Sequence, residues 1–218
     1  STGIGRATAK SLLAHRAKVI VFGIHKPEFF SEFYEVDITN EDSIISAISK
    51  IKKIDVLINN AGIVKITTIE KATSQMFDDV FNVNVKGAML VSKYSIPKLN
   101  SGGCIVNISS IAGIESYATY GIYCASKSAL ISLTKTLALE LADKKIRVNA
   151  IAPGVVDTPI WNKMYGKKGK KMLKEEVGTI PLKRYGKAQD ISHAVIFACE
   201  NEFLNGETIV VDGGETIA

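Results

Sequence analysis

The sequence predicts an α/β fold, one doubly wound parallel sheet flanked by helices, in a single domain over residues 1–218. Short β-branched runs alternate with longer stretches of helical periodicity along the chain. Most of those runs are nearly continuous in apolar residues, as strands buried on both faces of a parallel sheet are. A glycine-spaced loop at the start leads directly into the first helical pattern, the arrangement by which open α/β sheets meet ligands at their strand ends.

The elements follow in order. "STGIG" precedes a helix over Arg6–Ala14. Strands are expected at 18–22 ("KVIVF") and 33–37 ("FYEVD"). A helix over Glu41–Ile51 follows, with Asn40 placed to cap it. The strand at 56–60 ("VLINN") leads to a long helix over Ser74–Leu99, and the strand at 104–109 ("CIVNIS") to another over Tyr120–Asp143. Strand 146–153 ("IRVNAIAP"), helix Ala188–Cys199 and strand 208–212 ("TIVVD") close the series. No strand precedes the glycine loop, so the first strand of such a sheet is expected to be missing from the sequence.

Composition narrows the function. Hydrophobic residues make up 46%, enough for a packed core. No apolar run reaches bilayer-crossing length and no signal-peptide pattern is present, so no membrane partner is expected. Cys104, Cys124 and Cys199 are odd in number and far apart, which favours reduced thiols and a cytoplasmic setting. No cysteine or histidine spacing suits a metal. The net charge is +5, and Lys163–Lys174 ("KMYGKKGKKMLK") holds six lysines without an acid. That stretch reads either as a basic lid for an anionic ligand or as a solvated helix face. Nucleic acid is not the expected partner, because only Tyr165 interleaves the lysines.

At the glycine loop, Gly3 and Gly5 permit a tight turn and close ligand approach, and the helix start behind them favours a pyrophosphate. An ordinary helix-start turn explains the same spacing. After strand 18–22, the position that reads an adenosine ribose holds Gly23 in place of an acid. His25 and Lys26 follow, which leans toward a 2′-phosphate and NADP. Asp37 either accepts from an adenine amino group or caps the turn at Thr39. In "NNAG", Ala61 and Gly62 leave room for a flat adenosine.

The sharpest chemical signal is "SSIAGIESYATYGIYCASK". Tyr123 and Lys127 share one helix face, and Ser110 stands just past strand 104–109. A phenol of pKa about 10 is a poor base, and a neighbouring ammonium lowers that value. The pair therefore suits acid/base work on a carbonyl or alcohol oxygen. An exposed Tyr/Lys helix face is the plainer alternative.

With these residues in place, the chain resembles the short-chain dehydrogenase/reductase family. "STGIG", "NNAG", "NVNVKG", "NISS", "YCASK", "RVNAIAPGVVDTP" and "VDGG" follow in the family's order over almost the whole sequence. The resemblance implies a Rossmann-type fold and an NAD- or NADP-dependent oxidoreductase acting on a small molecule, assembled as a homotetramer. It implies Tyr123 as general acid/base, Lys127 as the residue that lowers its pKa and holds the nicotinamide ribose, and Ser110 as the holder of the substrate oxygen. Asn84 would position a water linking Lys127 to solvent. Gly3, Ile4 and Gly5, then Gly23 and His25, Asp37 and Ile38, and Asn60, Ala61 and Gly62 would line the cofactor. Pro153, Gly154, Val156 and Thr158 would hold the carboxamide. Residues 155–180 would form the lid, with Trp161 either a pocket wall or ordinary lid packing. Tyr117 and Tyr120 are set aside as catalysts, since neither has a lysine four residues on.

The stretch "IHKPEFFSEFYEVDIT" resembles archaeal aldohexose dehydrogenases of the same family, which favours a sugar substrate and NAD, against the lean of Gly23 and His25. The alternatives are a 3-ketoacyl or other carbonyl reductase and a catalytically silent cofactor-binding regulator.

Overall fold

The computed structural model describes residues 2–27 and 32–218. The chain runs α1 (Gly3–Ala14), β1 (Ile20–Gly23), β2 (Glu32–Glu35), α2 (Glu41–Ser49), β3 (Ile54–Asn59), α3 (Ser74–Phe81), α4 (Ala88–Ser95) and β4 (Leu99–Ile108). It continues with α5 (Gly121–Glu140), β5 (Arg147–Pro153), β6 (Val156–Asp157), α6 (Ile160–Tyr165), α7 (Gly169–Glu176), β7 (Gly186–Lys187), α8 (Ala188–Glu200) and β8 (Thr208–Val211).

The central sheet is parallel, in the order β3-β4-β5-β8. Leu57 lies opposite Ile105, and Ile105 opposite Val148, which fixes the register across three strands. Alternation then covers both faces. Cys104, Val106 and Ile108 pack with Ile191, Val195 and Ala198 of α8. Ile105 and Val148 pack with Leu137 and Ala138 of α5. Each fully buried Val or Ile is worth about 1.5–3 kcal/mol over exposure. This two-sided burial is what the nearly continuous apolar runs predict.

The strands are parallel, as expected, and fall into two main ladders. β1 and β2 form their own parallel pair, and no ladder joins β1 to β3 among the described residues. Side-chain packing makes the join instead. Phe22, Tyr34 and Leu57 pack on a cluster containing Ile44, Ile48, Leu90 and Val91.

Asn40 caps α2 as predicted, its side chain accepting from the Ser43 N–H at 3.1 Å. The predicted helix over Ser74–Leu99 is not uniform. Residues Asn82–Gly87 form a π turn between α3 and α4, and a 3₁₀ turn at Ile96–Lys98 contains Pro97. Proline has no N–H to continue an α ladder, which accounts for the stop. Residues 155–180, the expected lid, carry β6, α6 and α7, and β6 pairs in parallel with β7, none of which the sequence pattern announced.

A buried polar network pins α5 to the sheet near its carboxyl rim. Asn59 Nδ2 donates to Asn107 Oδ1 at 2.8 Å and to Ser92 Oγ at 3.0 Å. Asn107 Nδ2 donates to Thr134 Oγ1 at 2.9 Å. A network whose members are bonded to one another fixes a unique arrangement, since any shift would strand buried polar atoms. It holds in place the helix that carries Tyr123 and Lys127.

Candidate active site

The strands of the central sheet are parallel, so β3, β4 and β5 deliver Asn59, Ile108 and Pro153 to one rim. The start of α1 meets that rim. A Cβ on Gly5 would lie 2.6 Å from Asn60 Nδ2, and one on Gly3 would lie 3.2 Å from the Thr158 Cβ. Gly3 also has φ +55°, where glycine alone is unstrained. The cap residue Thr2 makes no side-chain bond to the first turn. The leading N–H groups, including that of Ile4, are thus left to an anion. Ala61 and Gly62 are exposed beside them. A dinucleotide fits this lining of small residues and bare N–H groups: pyrophosphate at Gly3–Gly5, adenosine over Ala61 and Gly62.

Past β4, the chain places Ser110 against α5 through three contacts. Ser109 Oγ donates to the Lys127 carbonyl at 3.0 Å, and Ser128 Oγ donates to the Gly113 carbonyl at 2.8 Å. Gly113 lies so close to α5 that a Cβ would stand 2.8 Å from the Lys127 backbone. Ser110 itself accepts from the Ala112 N–H at 3.2 Å, and its hydroxyl is near enough to the Tyr123 phenol to act on it.

Tyr123 and Lys127 come together as the spacing predicts. Lys127 Nζ stands 5.8 Å from the Tyr123 ring centroid and donates to the Ile108 carbonyl at 2.8 Å. Burial pushes the Tyr123 phenol up to about 12, and the nearby Ser110 hydroxyl opposes that rise. Burial pulls Lys127, only 3% exposed, down to about 8. Ser110 favours the ionised phenol, and desolvation makes the Lys127 ammonium easier to deprotonate.

Asn84 sits in the π turn, 1% exposed. Its Oδ1 accepts from the Ile63 N–H at 2.8 Å. Its Nδ2 donates to the Ile63 carbonyl at 2.9 Å and to Ser126 Oγ at 3.0 Å. Both amide hydrogens are committed, so a water could use only the second lone pair of Oδ1. Oδ1 and Lys127 Nζ each lie 3.4 Å from where a Gly62 Cβ would stand, so they share that corner.

The remaining predicted residues divide. Gly154 is required by close approach, since a Cβ would lie 2.7 Å from the Asp212 Cβ and 2.8 Å from Glu215 Oε2. Pro153 is buried in the ladder opposite Val211. The Val156 side chain packs in the core with Ile191 and Val195. Asp37 takes the turn role, its Oδ1 accepting from the Thr39 N–H at 2.9 Å and hydroxyl at 2.7 Å. Ile38 packs against Gly87 of the π turn. His25 and Lys26 are exposed beyond Gly23. Part of the "IHKPEFF" stretch, residues 28–31, lies outside the described residues.

Trp161 is buried and donates from its indole to the Val156 carbonyl at 2.9 Å. It also walls a cavity of about 210 Å³ with Thr158, Asn162 and Lys170. A larger cavity of about 290 Å³ lies behind the Pro153–Gly154 turn among Arg184, Asp190 and His193, away from Ser110 and Tyr123. Sequence reasoning missed Glu215, whose Oε2 accepts from the Val155 N–H at 3.3 Å. Burial raises its carboxyl, and Asp212, Glu176 and Glu115 add to the rise. No group of side chains suited to a metal ion occurs among the described residues, and none of their helices is long and apolar enough to cross a membrane.

Comparison with known proteins accords with this geometry. The family model described as Enoyl-(Acyl carrier protein) reductase matches residues 1–216. The 3-oxoacyl-[acyl-carrier-protein] reductase of Thermotoga maritima is 34% identical over 237 residues, covering 100% of this chain and 95% of that protein. Among solved structures, ligand-free aldohexose dehydrogenase of Thermoplasma acidophilum superposes with a TM-score of 0.93 at 34% identity, covering 100% of this chain and 91% of that one. ElxO with NADP bound superposes with a TM-score of 0.88 at 28% identity, covering 100% and 96%.

Proposed function

The chain belongs to the short-chain dehydrogenase/reductase family of NAD(P)-dependent oxidoreductases, and on that premise we propose that it interconverts a secondary alcohol or sugar hemiacetal with its carbonyl, an aldohexose being the favoured substrate. The observation that carries the reaction is the hydroxyl pair of Ser110 and Tyr123 beside Lys127, at the end of a crevice lined by Gly3, Gly5 and Gly62. A bound nicotinamide would supply the hydride donor or acceptor. Ser110 holds the substrate oxygen, and Tyr123 exchanges its proton with that oxygen. With the phenol near 12, Tyr123 is protonated at neutral pH and ready to give a proton to a carbonyl oxygen. Lys127 would pass the proton onward to a water held by the free lone pair of Asn84 Oδ1, in the corner the two share at Gly62.

The sugar assignment is supported by the likeness to the Thermoplasma aldohexose dehydrogenase and by the acids gathered at the mouth. Glu115 and Glu215 act on Tyr117, and Glu176 on Tyr120, and carboxylates near those phenols would suit sugar hydroxyls. A second reading, reduction of a 3-oxoacyl thioester on an acidic carrier, is favoured by the exposed lysines of the lid and by the Thermotoga relative. For the cofactor, exposed His25 and Lys26 support NADP, while the aldohexose resemblance supports NAD. Free thiols support a cytoplasmic setting. The stacked Phe77–Phe81 pair and exposed Met89 on α3 and α4 support a homotetramer.

The test is a screen of D-glucose, D-mannose and acetoacetyl-CoA with NAD(H) and NADP(H). Aldohexose oxidation is the expected outcome. Turnover of acetoacetyl-CoA alone would establish the second reading. Cofactor binding without turnover would make the protein a silent binder and refute both.

A further inference from the structure

Tyr120, which lacks the lysine partner of a catalytic tyrosine, lies between the lid and the acid/base residue. Its hydroxyl meets the Tyr165 hydroxyl of α6 at 2.7 Å, in part-buried surroundings. Its ring stands edge-on to Tyr123, with centroids 6.5 Å apart and planes at 65°. On the lid side the Tyr165 ring stacks on Trp161, at 6.0 Å and 16°. Trp161 is anchored through its indole to Val156, just past the Pro153–Gly154 turn. An unbroken chain of contacts thus runs from the Val156 backbone through Trp161, Tyr165 and Tyr120 to the edge of Tyr123.

The rest of the lid is loosely held at this point. Gly166 follows Tyr165 at φ +57°, with no atom within 4 Å of where a Cβ would stand. Lys163, Lys167 and Lys168, on either side of Tyr165, are exposed. A phenol pair is well suited to a contact that must break and reform. Neither partner carries charge, so opening strands no buried ion and closing needs no counter-ion.

We propose that Tyr120 and Tyr165 form a latch that closes the lid onto the helix bearing Tyr123, making both positioning residues for the acid/base. Lid closure and the seating of the Tyr123 ring are then one event: the phenol that holds the lid also braces the ring. The structural part stands on the contacts alone, and its catalytic consequence rests on the activity proposed above.

Trp161 is the only tryptophan of the chain, and trypsin cuts after lysine, so the lid carries its own reporters. Tyr120→Phe, Tyr165→Phe and the double variant keep the rings and remove only hydroxyls. Loss of one neutral hydrogen bond should speed tryptic cleavage within residues 163–174 by roughly fivefold. All three variants should shift Trp161 emission alike, and the double variant should be cut no faster than either single one. Cleavage at the wild-type rate overturns the latch. So does a double variant whose rate multiplies the two single effects, because the hydroxyls would then act separately. A fall in the melting temperature matching the faster cleavage also overturns it, since the contact would then hold the fold and not the lid. These readouts need neither substrate nor cofactor, so they decide the latch even if the activity reading fails. With D-glucose and NAD as probe, KM should rise more than kcat falls, and an unchanged KM would sever the latch from catalysis.

Discussion

Replacing Lys127 with methionine should change how stability depends on pH. Lys127 is 3% exposed, and burial draws it from an ordinary 10.5 to about 8. Each tenfold change in proton affinity is worth about 1.4 kcal/mol, so holding this ammonium inside costs about 3 kcal/mol at neutral pH. The unfolded chain binds the lysine proton more tightly than the folded one. Stability therefore rises with pH between about 8 and 10.5, and below that window the full cost is present. Tyr123 has the opposite sign. Its folded phenol is raised to about 12, so stability falls as pH climbs from the ordinary phenol value of about 10 toward 12. Among the thiols, Cys104 is lowered by its bond to Cys199, and Cys199 is raised by the same bond.

The difference between wild type and Lys127→Met cancels those shared contributions. Methionine fills a similar volume and carries no charge, but it leaves the Ile108 carbonyl without its 2.8 Å donor, at a cost of about 1–3 kcal/mol. At pH 7 the variant should thus be equal to wild type or up to about 2 kcal/mol more stable. By pH 10 the wild type should have gained about 2 kcal/mol or more on it. Urea unfolding at each pH, read by Trp161 emission, measures the difference. A difference that stays constant from pH 7 to pH 10 would refute the claim that Lys127 is held against its charge.

Tyr123→Phe should lower turnover by roughly 10²-fold or more, with cofactor affinity by titration within a few-fold of wild type. Oxidation of the alcohol should speed up as pH rises from 7 to 9, because the phenol must first lose a proton held up to about 12. Reduction should stay nearly flat over the same range, and matching slopes in the two directions would contradict Tyr123 as the proton carrier. Gly154→Ala should destabilise by about 1–3 kcal/mol in urea, because its Cβ meets Asp212 and Glu215 at 2.7–2.8 Å. An alanine variant as stable as wild type would mean that the turn yields freely.

The layers of the fold were legible because burial on both faces leaves a plain signature. Val106 and Ile108 face α8 while Ile105 faces α5, so apolar residues of "CIVNIS" fall on both faces and leave no exposed side. The cap at Asn40 was legible for a similarly local reason. The π turn was not. Asn82–Gly87 has the composition of an ordinary helix, and its extra residue per turn comes from Asn84 reaching across to Ile63 and Ser126, partners 21 and 42 residues away. The lid helices were hidden by lysine content. The apolar residues that seat them, Trp161 and Leu173, are too few to set a period.

Tyr117, Tyr120 and Tyr123 show where sequence alone stops. They recur every three residues and their rings meet in series at 6.5 Å. Burial raises all three phenols. For Tyr117 the neighbouring acids add to the rise, and for Tyr120 so does the bond to Tyr165. Only Tyr123 has a partner, Ser110, that favours the ionised form. The lysine four residues on picks out the same tyrosine by spacing; Lys127 donates a hydrogen bond to the Ile108 carbonyl, and the Ser110 hydroxyl acts on the phenol. Ser110 reaches that position because Ser109 and Ser128 bind its loop to α5. The acid/base character of Tyr123 is therefore set by how a strand end is tied to a helix, a property of the packed pair that neither segment carries alone.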